Sequence, residues 1–145
     1  MVWKFSNNEL WDDLWLNEAF ATFISYLCKS NNEYLIKKYG NQWIIFNSAK
    51  ENGYYEDQLS TSHPVVFDIK DTQESQSSFD GIVYNKGSSI LKQMFFTIGN
   101  NNFSNGLKAY FKEFKWRNTK FEDFVNKMDI EIKKIILKIV ILKLI

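Results

Sequence analysis

Apolar positions recur along most of this chain at helical spacing. From residue 11 onward, Leu16, Phe20, Phe23 and Leu27 form one stripe, and Trp11, Leu14, Trp15 and Thr22 form a second. The pattern predicts a first helix running to about Lys29, broken by Ser30-Asn31-Asn32. Residues 1–10 read as a loop or an incomplete entry into it, with Asn7, Asn8, Asp12 and Asp13 offering cap chemistry. A second helix is predicted over roughly 33–50, with Tyr34, Ile36, Tyr39, Trp43 and Phe46 as core and Gly40 weakening its middle. Asn52-Gly53 then opens a long polar connection. It contains the only proline, Pro64, which disfavours helix at His63. Residues 71–78, DTQESQSS, suit a short surface helix or none.

The next patterned segment starts at Phe79. Tyr84, Ser88, Leu91 and Phe95 share one helical face, with Val83, Ile90 and Met94 beside it. Gly87, Ser88 and Ser89 are small and let a neighbouring element approach closely. Asn100 to Asn102 read as a loop. Phe103, Leu107, Tyr110, Phe111 and Phe114 then mark an amphipathic helix. Thr119 is placed to cap a short helix carrying Phe121, Phe124 and Val125, with Glu122 in its first turn. Residues 129–145, DIEIKKIILKIVILKLI, change character: a packed helix, a strand or an amphipathic surface segment are all open. All the well-patterned segments read as helices, so the expected fold class is all-α.

One polar residue stands out against the first of these helices. Glu18 sits inside an otherwise apolar stripe. A carboxylate on a buried face needs a counter-charge, a proton or a metal ion. The alternatives are a partly exposed glutamate beside Asn17, or one paired with a lysine elsewhere in the fold.

Composition narrows the chemistry. A chain of 145 residues suffices for one domain with a real core, and 45% apolar residues exclude a disordered chain. Eighteen basic residues are scattered among 17 acidic ones, leaving a net charge of +1, so nothing favours a nucleic-acid partner. The single cysteine, Cys28, excludes an internal disulfide and is expected in the core. The opening MVWKFSNNE lacks the apolar run of a secretory leader, and no window reaches the roughly 20 apolar residues of a membrane span. There is one histidine, His63, whereas a catalytic zinc site normally takes three protein ligands. Any metal held by Glu18 therefore needs ligands from outside these residues.

Three segments, in order, carry a resemblance. Residues 13–23, DLWLNEAFATF, resemble the DLWLNEGFAxF segment of the aminopeptidase N family of zinc metallopeptidases, gluzincins related to thermolysin. Residues 57–65, DQLSTSHPV, are similar to that family's DxLxxSHPV segment. Residues 79–91, FDGIVYNKGSSIL, are similar to its FDxIxYxKGxxVL segment. The resemblance covers about residues 8–128 and implies the helical C-terminal part of a thermolysin-like catalytic domain. It further implies one zinc ion, Zn2+, in the intact enzyme, with Glu18 as its third protein ligand. Tyr84 takes the place of the tyrosine that donates a hydrogen bond to the tetrahedral intermediate, although a core or rim tyrosine is the alternative from spacing alone. Asn17, His63 and Lys86 match as well, as groups supporting the site or the fold. The implied activity is hydrolysis of N-terminal residues from peptide substrates, with the remainder of the catalytic domain as a partner. The family includes membrane-anchored extracellular and cytoplasmic members, so no compartment follows.

The departures are as informative. The His-Glu-x-x-His helix, with two zinc ligands and the general base, is absent. In the family pattern about 18 residues separate its second histidine from the ligand glutamate, which counts back past Met1. The Gly-x-Met-Glu-Asn segment that anchors a substrate's free amino group is also absent, Ala19 stands where the family usually has glycine, and Leu10-Trp11-Asp12-Asp13 stands for WWND. The match fades from Asp129. The expectation is a partial catalytic domain over 1–128 with an Ile/Lys-rich tail over 129–145, truncated at both ends and inactive alone. The rival expectation is a non-catalytic helical interaction protein, a degenerate paralogue that keeps the scaffold.

Overall fold

The computed structural model describes residues 13–67 and 79–144, without the side chains of Leu14 and of residues 134–144. The expectations for residues 1–12, including Trp11, and for the polar run 71–78 lie outside the described residues, as does the packing of the tail's side chains. The described residues form six α-helices and one π-helical turn, with no strand among them: α1 (Leu14–Ser30), α2 (Glu33–Tyr39), α3 (Gln42–Glu56), the π turn (Ile82–Lys86), α4 (Gly87–Ile98), α5 (Asn100–Phe114) and α6 (Phe121–Leu144). The all-α expectation is met. None of the described helices is long and apolar enough to cross a membrane. The described residues divide into two units, one within residues 13–93 and the other over residues 94–144.

In the first unit, α1 packs against the π turn, α2 and α3. Its buried line is Trp15, Leu16, Ala19 and Phe23, which draws on both stripes legible in the sequence. Burial of Phe23 alone removes a whole aromatic side chain from water, worth about 1.5–3 kcal/mol. Cys28 is exposed, not in the core. It stands about 140° round the helix from Phe23, off the line that meets the other elements.

The helix predicted over 33–50 is two helices. Gly40, with φ 74°, ends α2 in a conformation that side-chain-bearing residues rarely adopt. Asn32 caps α2 by accepting from the Leu35 amide at 3.0 Å, and Asn41 caps α3 by accepting from the Trp43 amide at 3.0 Å. The buried Gln42 amide donates to the carbonyls of Tyr39, at 3.1 Å, and Gly40, at 3.3 Å, satisfying the turn between the helices. Because α2 is short and set off by this turn, Tyr34, Ile36 and Tyr39 are exposed, against expectation, while Phe46 on α3 is buried. Lys92 lies over the rings of Trp43 and Phe46, 4.4 Å and 4.5 Å from their centroids. Burial, and then the nearby Lys50, hold its ammonium below its ordinary value.

Residues 52–53 do not open the polar connection; α3 continues through them to Glu56. Gly53 is buried because the π turn crosses it. A Cβ there would stand 2.7 Å from the Gly81 carbonyl oxygen and 2.8 Å from the Lys86 nitrogen, both backbone atoms. The glycine is needed for this close approach rather than for a turn.

In the second unit, α5 packs on α6 through Phe103, Phe124 and Met128, all buried. Tyr110 links them: its ring meets Phe124 edge-on at 5.6 Å, and its hydroxyl shares a 2.6 Å hydrogen bond with Thr119. Lys127 donates to Glu113 at 2.6 Å. Residues 100–102 are helical rather than a loop, since the break falls one residue earlier at Gly99, with φ 80°. The helix after Thr119 is long, 24 residues, and passes through Asp129 without interruption.

Candidate functional site

Glu18, on α1, and Tyr84, in the middle of the π turn, come together. The tyrosine hydroxyl donates to the glutamate carboxylate. Burial, reinforced by that hydrogen bond and by the negative charge, pushes the Tyr84 hydroxyl up to about 12. Glu18 and Tyr84 are each half-buried, so the pair lies open on one side rather than sealed in the core. Glu18 is partly exposed, and a polar side chain of another element stands beside it. The partner is a phenol rather than a lysine.

The π turn sets where Tyr84 points. Such turns, with backbone hydrogen bonds spanning five residues, are rare and recur at functional sites. Two contacts to small residues let it sit close to its neighbours: Gly53 on α3, and Gly87, whose position for a Cβ lies 2.9 Å from the Ala19 Cβ of α1. At its end the Asn85 carbonyl accepts from the hydroxyls of both Ser88, at 3.0 Å, and Ser89, at 2.9 Å. The two serines are thus more than small residues.

His63 and Lys86 do not meet Glu18. Each pairs with an aspartate on the flank of the π turn. His63 Nε2 lies 2.8 Å from Asp80 Oδ2, and Lys86 Nζ lies 2.7 Å from Asp57 Oδ2. Asp57 also accepts from the Ser62 hydroxyl at 3.0 Å. The Lys86 hydrogen bond first, then that of Ser62, hold the Asp57 carboxyl below its ordinary value. Asp80 uses its other oxygen, Oδ1, to accept from the amides of Ile82, at 2.9 Å, and Val83, at 3.0 Å. Glu56 accepts from the Gly81 amide at 2.6 Å. Asn17 neighbours Glu18 in sequence and is exposed.

Glu56, Asp57 and Asp80 hold the surroundings of the π turn, and sequence reasoning passed over them. Asp57 and Asp80 stand inside the two later motif segments, which was the available signal. Each of those segments supplies one acid and one base to the other.

Zinc requires three or four protein ligands. Among the described residues no group of three or more His, Cys, Asp or Glu stands together so as to hold a metal ion. The residues present do not make a complete zinc site, and Glu18 is the one carboxylate that the family resemblance assigns to it.

Helices that carry a half-buried carboxylate–phenol pair beside a π turn are not by themselves diagnostic of a reaction, but sequence comparison defines the class. The chain matches the model of the peptidase family M1 domain over residues 6–141. It is 38% identical to aminopeptidase N of Streptomyces lividans over 122 residues, covering 83% of this chain and 14% of that protein. It is likewise 38% identical over 116 residues to probable aminopeptidase 1 of Saccharolobus solfataricus, covering 80% of this chain and 14% of that one. Glutamyl aminopeptidase of Mus musculus is 36% identical over 118 residues, 79% of this chain and 12% of its own length. The chain belongs to the peptidase M1 family, whose members are generally zinc-dependent. It spans about 14% of the length of the first of these relatives.

Proposed function

We propose that this chain is part of a zinc-dependent aminopeptidase that hydrolyses N-terminal residues from peptides. Glu18 supplies one zinc ligand, and the ion's remaining ligands come from outside these residues. Tyr84 donates its hydroxyl hydrogen to the oxygen on which negative charge develops as the scissile carbonyl is attacked. When bound, zinc supplies Lewis-acid polarisation of that carbonyl and an activated water. Asn17, His63 and Lys86 support the site or the fold without touching the metal.

The observation that carries this reading is the contact between Glu18 and Tyr84. A carboxylate and a phenol from separate elements are held within hydrogen-bonding reach, with one side open. Exposed apolar side chains such as Ile44, at 67%, and Phe96, at 72%, suit surfaces covered by the remainder of the catalytic domain.

The test begins with the transcript region coding upstream of Met1. With an in-frame His-Glu-x-x-His at the family spacing, the encoded protein should bind zinc and release N-terminal residues. Glu18→Gln should then lower zinc occupancy. Tyr84→Phe should keep the zinc and lower kcat by about 10²–10³-fold. The 145-residue chain alone should neither retain zinc through gel filtration nor hydrolyse peptide. A Tyr84→Phe enzyme with full kcat would overturn the role given to the phenol.

A further inference from the structure

We propose that His63 and Asp80 are positioning residues for Tyr84, acting by fixing the N-terminal end of the π turn that carries it. The proposal rests on the reading of Tyr84 given above. It adds a role for two residues that touch neither Glu18 nor the Tyr84 hydroxyl.

The π turn makes demands on its surroundings. Its first amides have no partners within the turn and must find acceptors elsewhere. Asp80 supplies them. One of its oxygens takes the amides of Ile82 and Val83 at 2.9 Å and 3.0 Å, and its own carbonyl takes the Tyr84 amide at 3.1 Å. The orientation of Asp80 therefore fixes three consecutive residues ending at Tyr84. What orients Asp80 is His63, whose Nε2 holds the second carboxylate oxygen at 2.8 Å.

His63 is itself held. Its Nδ1 donates to the Pro64 carbonyl at 2.8 Å, and its ring lies 4.6 Å from that of Phe67. Pro64 keeps the His63 backbone out of helix, which lets the ring reach across from the segment after α3. Every polar atom of the His63–Asp80 pair is thus committed: both ring nitrogens and both carboxylate oxygens. A pair serving only as a surface ion bridge needs one contact. The Glu56 carboxylate, anchored by Asn52 at 2.8 Å, takes the Gly81 amide and completes the same end. The chain runs from His63 through Asp80 to the Tyr84 backbone, and from there to the hydroxyl at Glu18.

The test uses the full chain labelled with 3-fluorotyrosine, with the Tyr84 resonance identified by its loss in Tyr84→Phe. Spectra are taken at neutral pH, well below the melting temperature of each variant. His63→Ala and Asp80→Asn should each move the Tyr84 resonance at least halfway to its denatured-state position. His63→Gln, which keeps a donor toward Asp80, should restore most of it. Lys127→Ala, which cuts an ion pair in the other unit, should lower the melting temperature and leave the resonance in place. Asp80→Asn keeps an oxygen for the two amides and remains informative if His63→Ala does not fold. An unmoved Tyr84 resonance in folded Asp80→Asn would overturn the proposal. So would an equal displacement in Lys127→Ala, which would make the effect a global one. None of these readouts needs zinc or turnover, so failure of the catalytic reading and failure of the positioning role are separately visible.

Discussion

The hydroxyl of Tyr84 and the carboxylate of Glu18 share one hydrogen across the gap between the π turn and α1, and that contact has a measurable sign. A phenol raised from 10 to about 12 is one whose neutral form the folded state favours. The stability it contributes is fully present below pH 10 and is lost as pH rises toward 12. The difference in tyrosinate absorbance between the native chain and Tyr84→Phe should therefore develop near 12 instead of near 10. Glu18→Gln should bring the midpoint down only in part, because burial is the larger cause and survives the substitution.

At the acid end the group to follow is Asp57. Its carboxyl is held below the ordinary 3.8 by Lys86 and Ser62. A carboxylate with a depressed folded-state value lends stability above 3.8 and withdraws it as pH falls through the lower folded-state value. Melting temperature plotted against pH should fall over that acid range. In Asp57→Asn the curve should be flatter there and lower at neutral pH.

Two glycine replacements should separate strain from crowding. Gly40→Ala meets no neighbour within 4 Å but must hold φ 74°, so it should cost about 1–3 kcal/mol through backbone strain alone. Gly53→Ala drives a methyl group against the backbone of the π turn, and overpacking of this kind costs about 1–3 kcal/mol or more. Urea denaturation measures both losses. The Tyr84 fluorine resonance should move in Gly53→Ala and stay in Gly40→Ala.

Phe124, 1% exposed, is the central side chain of the α5–α6 contact. Phe124→Ala should destabilise the chain by about 3–5 kcal/mol, the usual cost of emptying a buried aromatic site. A loss under 1 kcal/mol in chemical denaturation would mean that this unit does not unfold cooperatively with the rest.

Helical periodicity was enough to locate α1, α4 and α5, because their buried residues recur on one face. It was not enough where a single backbone angle or a tertiary contact decides. Gly40 reads as a weak point within one helix, yet its left-handed conformation splits that helix in two. Gly53 reads as the start of a loop, yet it is helical because only a glycine leaves room for the π turn. Cys28, Tyr34 and Tyr39 are apolar enough for a core, but they lie on the exposed sides of their helices. Glu18 and Tyr84 were singled out by the motif segments around them, though not their standing side by side. The roles of Asp57 and Asp80 were not, since an ion pair between distant segments leaves no periodic trace. The π register has no local signature either. Its amides and carbonyls are answered by side chains of Asp80, Glu56, Ser88 and Ser89.

The two acid–base pairs beside the π turn also encode a direction. Read from N to C, the first segment offers acid then base, Asp57 then His63, and so does the second, Asp80 then Lys86. The segments run opposite ways, so each acid meets a base, at 2.7 Å and 2.8 Å. Laid side by side in the same sense, they would set Asp57 against Asp80, two carboxylates with no donor between them. His63 would then face Lys86, and neither base would meet an acid. The two carboxylates so placed repel, and their unmet hydrogen-bonding demand adds to the cost. Four side chains therefore do more than fasten the turn; their order along the chain rejects the reversed alignment before any apolar packing is considered.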